Sequence, residues 1–139
     1  MTSRKASCCC GALSATAEGE PAVVSLCNCI ECQRRTGSPF GVGAYYEAAQ
    51  VSVSGPFNVY ERHVEDRWLR FHFCPSCGST VYWQTANHPG RTGIAVGAFA
   101  DPHFRKPDRS VFERTRHDWL HFADDIPGFV AGRDGAPSR

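Results

Sequence analysis

Eight cysteines in a chain of 139 residues constrain the fold more than any other feature of the sequence. Seven of them lie in three tight groups, which are Cys8-x-Cys10, Cys27-x-Cys29-x-x-Cys32 and Cys74-x-x-Cys77, and the eighth is Cys9. The first residues lack the apolar run of a secretory signal peptide. We therefore expect a reducing, cytoplasmic environment, where clustered cysteines hold metal more often than they form disulfides.

Charge and hydropathy exclude two classes of partner. The 15 Lys and Arg residues nearly balance the 14 Asp and Glu residues, for a net charge of +1. This balance leaves no basic footprint for nucleic acid. No stretch reaches the ~18 consecutive apolar residues that indicate a membrane-spanning helix, so we expect no membrane partner.

The apolar composition predicts a mainly β chain. Val and Phe together number 20, whereas Leu and Ile together number only 7, and branched or aromatic side chains suit strands. Strands are predicted over residues 13–16, 23–26, 42–46, 51–53, 57–60, 68–73, 80–84, 94–99 and 110–114. One short helix is predicted over 30–36, ended by Gly37. We expect a single domain over 8–130, with a flexible start (1–7) and a flexible tail (131–139).

The group Phe73-Cys74-Pro75-Ser76-Cys77-Gly78 is typical of a metal knuckle. Its two thiolates can bind one ion while the N–H groups of the turn donate to the sulfurs. A closed structural zinc site needs four ligands, and Cys8 and Cys10 are the natural complement. The alternative is a buried cysteine pair or an adventitious disulfide.

The group Cys27, Cys29 and Cys32 can clasp an ion from one side and leave its fourth position open, as catalytic zinc sites do. Two alternatives stay open. One is a closed site completed by Cys9 or a histidine, and the other is a redox pair of Cys29 and Cys32.

Outside the cysteine groups, Arg34 and Arg35 are candidates for binding the carboxylates of a small molecule, or else a solvated pair. His72 lies two residues before Cys74, but a surface or core-edge role is the simpler interpretation. The remaining histidines show no ligand spacing; they are His63, His88, His103, His117 and His121.

In combination, the three cysteine groups resemble the glutathione-dependent formaldehyde-activating (CENP-V/GFA) family. The resemblance is collinear, includes the run Cys32-Gln33-Arg34-Arg35-Thr36-Gly37, and extends from Cys8 to about Phe129. It implies a β-tent fold of small antiparallel sheets with little helix. It also implies a structural zinc on Cys8, Cys10, Cys74 and Cys77 and a second, catalytic zinc on Cys27, Cys29 and Cys32.

The activity that the resemblance implies is that of a carbon–sulfur lyase, which joins formaldehyde and glutathione into S-(hydroxymethyl)glutathione. Glutathione and a small aldehyde are thus the expected partners, with Arg34 and Arg35 as contacts to glutathione. The competing hypothesis is a non-catalytic, zinc-stabilised protein-binding module that needs only the four-cysteine site.

Overall fold

The computed structural model describes residues 2–139 and confirms a mainly β fold. The strands are β1 (Ser3–Ser7), β2 (Ser14–Glu18), β3 (Val23–Cys27), β4 (Gly41–Glu47), β5 (Val51–Ser54), β6 (Asn58–Val64), β7 (Arg67–Phe73), β8 (Thr80–Thr85), β9 (Arg91–Ala95) and β10 (Arg109–Val111). The described residues form a single α-helix, α1 (Ile30–Thr36). Three 3₁₀ helices complete the elements, at Ala48–Gln50, Val96–Phe99 and Glu113–Thr115. None of these helices has the length and apolar character that crossing a membrane requires.

The chain divides into two compact units, and β4 contributes residues to both. Unit 1 comprises residues 2–22 and 44–103, and unit 2 comprises residues 23–43 and 104–139. The cysteines divide between the units: Cys8, Cys10, Cys74 and Cys77 lie in unit 1, and Cys27, Cys29 and Cys32 lie in unit 2.

Unit 1 contains a three-stranded antiparallel sheet in the order β1-β2-β5 and a second run of strands in the order β4-β9-β8-β7-β6. Its core is built from fully buried side chains such as Leu13, Tyr46 and Ile94. Between His72 and Phe73 the pairing of β7 with β8 shifts register, so that three successive residues, Val81 to Trp83, are buried. Strand β7 ends at Phe73, immediately after this register shift and directly before the buried Cys74.

Unit 2 is organised around β3 and β10, which pair in parallel with Leu26 opposite Ser110. Helix α1 begins after Cys29, whose sulfur accepts a hydrogen bond from the Cys32 N–H. It ends at Gly37, which has φ +66°, a left-handed conformation that glycine adopts without strain. The predicted helix over 30–36 is thus confirmed.

Three local predictions need correction. The start of the chain was predicted to be flexible, but Ser3–Ser7 form β1. This strand pairs antiparallel with β2, so that Ser3 lies opposite Glu18 and Ser7 lies opposite Ser14. The strand predicted over 94–99 ends at Ala95 and becomes a 3₁₀ helix, closed by Ala100 at φ +51°. The strand predicted over 110–114 ends at Val111, because Phe112 has φ +55°.

The tail also has defined contacts in place of the loose structure that we expected. The Phe112 N–H donates to the Ala131 carbonyl at 2.8 Å. Ser138 and Arg139 donate to the buried carboxylate of Glu113, with Ser138 Oγ at 2.5 Å and Arg139 Nε at 3.2 Å from Oε1. The single domain over 8–130 stays a prediction.

Candidate metal centres

The structure brings the first and third cysteine groups together in unit 1. All four sulfurs of this four-cysteine cluster (Cys8, Cys10, Cys74 and Cys77) lie within 4.8 Å of one another. Cys10 Sγ is 3.7 Å from Cys8 Sγ and 3.6 Å from Cys74 Sγ. Tetrahedral zinc with Zn–S bonds of about 2.3 Å places its sulfurs roughly 3.8 Å apart. The two measured distances are therefore close to those of a tetrahedral zinc site.

Two similar turns present these thiols. Gly11, with φ +84°, closes the first turn by donating its N–H to the Cys8 carbonyl, and Gly78, with φ +77°, does the same to Cys74. Backbone N–H groups then face the sulfurs: the Leu13 N–H donates to Cys8 Sγ at 3.2 Å, and this lowers the pKa of Cys8. Such donors stabilise thiolates, the form in which cysteine binds metal.

Ser79 is part of this centre, although no sequence motif indicated it. Its hydroxyl lies 3.3 Å from Cys77 Sγ and accepts a hydrogen bond from the Cys9 N–H at 3.3 Å, so it links the two turns. Hydrogen bonds from the Ser79 hydroxyl and N–H lower the pKa of Cys77 to about 5. Ser79 belongs to no metal-ligand spacing pattern, so its role could be recognised only from the positions of the two turns in the structure.

The thiol of Cys10 shows how a bound cation would favour the cluster. The Ala12 N–H lowers the pKa of Cys10, but contacts with the thiols of Cys74 and Cys8 outweigh it and hold that pKa at about 11. Four thiolates in one place repel each other unless a metal compensates their charge, and a coordinated thiol is deprotonated outright. The donor set thus matches a structural metal site.

The three-cysteine cluster (Cys27, Cys29 and Cys32) lies wholly in unit 2. Its sulfurs are within 4.8 Å of one another, and no other His, Cys, Asp or Glu among residues 2–139 joins them. Hydrogen bonds with Cys29 and Cys32, together with burial, raise the pKa of Cys27. Three thiols able to hold one ion, without a fourth protein ligand, match the coordination of an open metal site.

Asn28 fixes the loop that carries this cluster. Its side chain is fully buried, and its Nδ2 donates to Ser110 Oγ at 3.0 Å and to the Val111 carbonyl at 2.9 Å. The Asn28 carbonyl in turn accepts a hydrogen bond from Gln33 Nε2 at 2.9 Å. The loop between Cys27 and Cys29 is therefore anchored to β10 and to α1. The sequence did not indicate this role, because it depends on β10, more than 80 residues away.

The two arginines of α1 lie on different faces. Arg35 lies on the face of α1 that packs against Gly41. A Cβ atom added to Gly41 would lie 2.8 Å from Arg35 Nη2 and 3.7 Å from Cys32 Cβ. Arg34 is exposed and faces an open groove of about 520 Å³, which we call the α1 groove. The α1 groove is lined by Ile30, Gln33, Arg34, Gly37, Ser38, Pro39 and His117. Only Arg34 of the predicted pair is therefore placed to meet a ligand in this groove.

The histidines do not join either cluster. His72 is buried between aromatic rings, stacked on Tyr82 at 4.3 Å and edge-on to Phe57 at 4.9 Å, and burial lowers its pKa. His88 stacks on Tyr45 at 3.8 Å. Both are packing residues, which agrees with the simpler interpretation of His72.

Comparison with known proteins places this geometry in a family. The sequence model of the glutathione-dependent formaldehyde-activating enzymes matches residues 3–115, which include both cysteine clusters. A crystal structure of a Rhodobacter sphaeroides protein, a Northeast Structural Genomics target, is similar with a TM-score of 0.56 and 23% identity. The similarity covers 73% of this chain and 90% of that one, and it supports the fold. Comparison with curated proteins gave no match. On the family match, the chain belongs to the glutathione-dependent formaldehyde-activating enzyme family.

Proposed function

We propose that this protein is a zinc-dependent carbon–sulfur lyase that interconverts glutathione plus formaldehyde with S-(hydroxymethyl)glutathione. The observation that carries the proposal is the three-cysteine cluster, whose sulfurs converge without a fourth protein ligand among residues 2–139. A binding scaffold has little use for a three-ligand metal site, whereas a catalytic site needs an open position. Family membership supplies the substrate pair.

In the proposed reaction, the glutathione sulfur attacks the carbonyl carbon of formaldehyde. A C–S bond forms, the carbonyl π pair moves to oxygen, and the thiol proton is returned to that oxygen, so that the product carries a hydroxymethyl group. Zinc held by Cys27, Cys29 and Cys32 would supply a Lewis acid that favours the thiolate or polarises the carbonyl. The chain's own task is to hold the three sulfurs in place, which Asn28 does through β10.

The two arginines are proposed to assist binding in different ways. Glutathione carries two carboxylates, and Arg34 offers an exposed guanidinium in the α1 groove. Arg35 is half-buried near Cys32 and adds positive charge beside the cluster. We expect Arg34 to contribute to the KM for glutathione and Arg35 to act on the cluster itself.

The four-cysteine cluster is proposed to hold the structural zinc. Its ligands join residues 64 positions apart, so a metal there contributes directly to folding. A non-catalytic binding module would need this cluster alone. The two hypotheses therefore differ on whether the three-cysteine cluster binds metal and supports turnover.

The test combines zinc analysis with turnover measured by exchange spectroscopy on glutathione and formaldehyde. We expect two zinc equivalents in the wild type. The single variants Cys29→Ser and Cys32→Ser should each retain one zinc equivalent, and their exchange rate should fall to the uncatalysed rate. Cys9→Ser is the matched control, because Cys9 is exposed and belongs to neither cluster. Full activity in Cys29→Ser would rule out the zinc-lyase mechanism, and a wild type without catalysed exchange would favour the binding module.

A further inference from the structure

His117 lines the α1 groove and belongs to none of the cysteine motifs. Its ring makes one specific hydrogen bond. His117 Nε2 is 3.0 Å from Gln33 Oε1. The side chain is exposed, and its ring is edge-on to Trp119 with centroids 6.2 Å apart. One imidazole nitrogen, Nε2, is therefore engaged by the protein.

The Gln33 amide settles the tautomer. Its Nε2 lies 2.9 Å from the Asn28 carbonyl and 3.0 Å from the Thr115 carbonyl. Both partners only accept hydrogen bonds, so they must face the NH₂ group, and the oxygen of the amide must face His117. That oxygen also only accepts, which requires a proton on His117 Nε2. In the neutral ring, Nδ1 is then the bare nitrogen and can accept a proton.

The position of His117 connects it to the three-cysteine cluster. Two hydrogen bonds, through the Gln33 side chain, join its ring to the carbonyl of Asn28, the residue between Cys27 and Cys29. Thr115 reinforces this link by donating its hydroxyl to the same carbonyl at 2.8 Å. Along the groove wall, Arg34 supplies a positive charge that suits an anionic thiol substrate.

We propose that His117 is a catalytic base in the α1 groove that takes the proton of the thiol substrate through Nδ1. This inference rests on the proposed function. The proton moves from the glutathione sulfur to His117 Nδ1, the resulting thiolate forms the C–S bond with formaldehyde, and the carbonyl π pair moves to oxygen. His117 then returns its proton to that oxygen, so the ring ends neutral and no other reactant is required. Of the charged residues, Arg34 lines the same groove, and Arg116 and Asp118 flank His117 in the chain.

His117→Gln is the informative variant, because a glutamine NH₂ can replace the donor to Gln33 but cannot carry the proton. We expect kcat/KM above the uncatalysed exchange to fall by about 100-fold, with unchanged zinc content, and imidazole to restore part of the activity of His117→Ala. The matched control is His121→Gln, an exposed histidine of the same segment that lies outside the groove wall. Its kinetics should equal those of the wild type.

A second measurement does not depend on the variants folding. In ¹⁵N-resolved spectra of the wild type, neutral His117 should be protonated on Nε2, and S-methylglutathione should shift its Nδ1 resonance. A proton on Nδ1, or equal rates for His117→Gln and His121→Gln, would overturn the role of His117 while leaving the lyase activity intact. A wild type that fails to accelerate exchange would overturn the proposed function and this inference with it.

Discussion

Removing one cysteine from each cluster should separate a structural metal from a catalytic one. The four-cysteine cluster joins Cys10 to Cys74 across 64 residues of chain, whereas the three-cysteine cluster closes only residues 27–32. The entropy of closing a loop grows as (3/2)RT ln n, so the longer closure restricts the unfolded chain by about 2 kcal/mol more. For a domain of this size the difference corresponds to roughly 8 °C in Tm.

We therefore expect Cys74→Ser or Cys10→Ser to lower Tm by about 8 °C more than Cys29→Ser. Each variant loses one metal ion, but only the metal of the four-cysteine cluster closes the long loop. The assay is thermal unfolding followed by circular dichroism, with zinc content measured on the same samples. Cys9→Ser provides the baseline for replacing a thiol outside both clusters.

Two results would refute this reasoning. If Cys74→Ser keeps its full zinc content and the wild-type Tm, the four-cysteine cluster is not a structural metal site. If Cys29→Ser unfolds as easily as Cys74→Ser, the three-cysteine cluster is structural and the case for catalysis at that cluster fails.

Three further substitutions test individual contacts. Ser79→Ala should weaken zinc retention at the four-cysteine cluster about 10-fold in competition with a chelator, because Cys77 and the Cys9 N–H lose a hydrogen-bond partner. Ser76→Ala in the same turn is the control, and equal zinc retention in the two variants would show that Ser79 is irrelevant. Burial raises the pKa of Glu113, but hydrogen bonds from Ser138 and Arg139 outweigh it and leave that pKa below its usual value. The stability that this carboxylate contributes is complete above the unfolded pKa of about 4.5 and is lost as the pH falls through the folded pKa. Glu113→Gln should thus cost about 1–2 kcal/mol at pH 7 in urea unfolding and progressively less below pH 4.5, and a cost independent of pH would contradict this origin. Gly93→Ala should lower the free energy of unfolding by about 1–3 kcal/mol, since the new Cβ would lie 2.4 Å from Trp83 Nε1. Gly97→Ala, which has open space around it, should have a far smaller effect, and comparable losses would show that the core adjusts at Trp83.

Helix α1 and most strands could be predicted because their signals are local. Gly37 marks the end of α1, and the alternation around Phe71 marks β7. Strand β1 could not be predicted, because Ser3–Ser7 has no apolar alternation and owes its conformation to pairing with β2. The end of β9 was missed for the opposite reason: apolar alternation continues past Ala95 although the backbone turns into a 3₁₀ helix.

The cysteines of the candidate site were predictable, and the residues that support them were not. Ligand spacing identifies thiols within one turn, but Ser79, Asn28 and Gln33 act through partners that only tertiary structure supplies. The same applies to His117, which is connected to the cluster through Gln33. The family model matches residues 3–115, which is shorter than the resemblance that we expected to extend to about Phe129, and His117 lies beyond the matched range.

The two cysteine clusters share no ligand, and each lies within one unit of the chain. Selection can therefore act on them separately during divergence. Under the proposed function, a descendant that loses Cys29 or Cys32 would lose the metal bound by residues 27–32 but would keep the four-cysteine cluster. Such a protein would keep its fold and could acquire a different function. Retention of the three-cysteine cluster, more than the overall match, is thus the criterion that should separate catalytic from repurposed homologues.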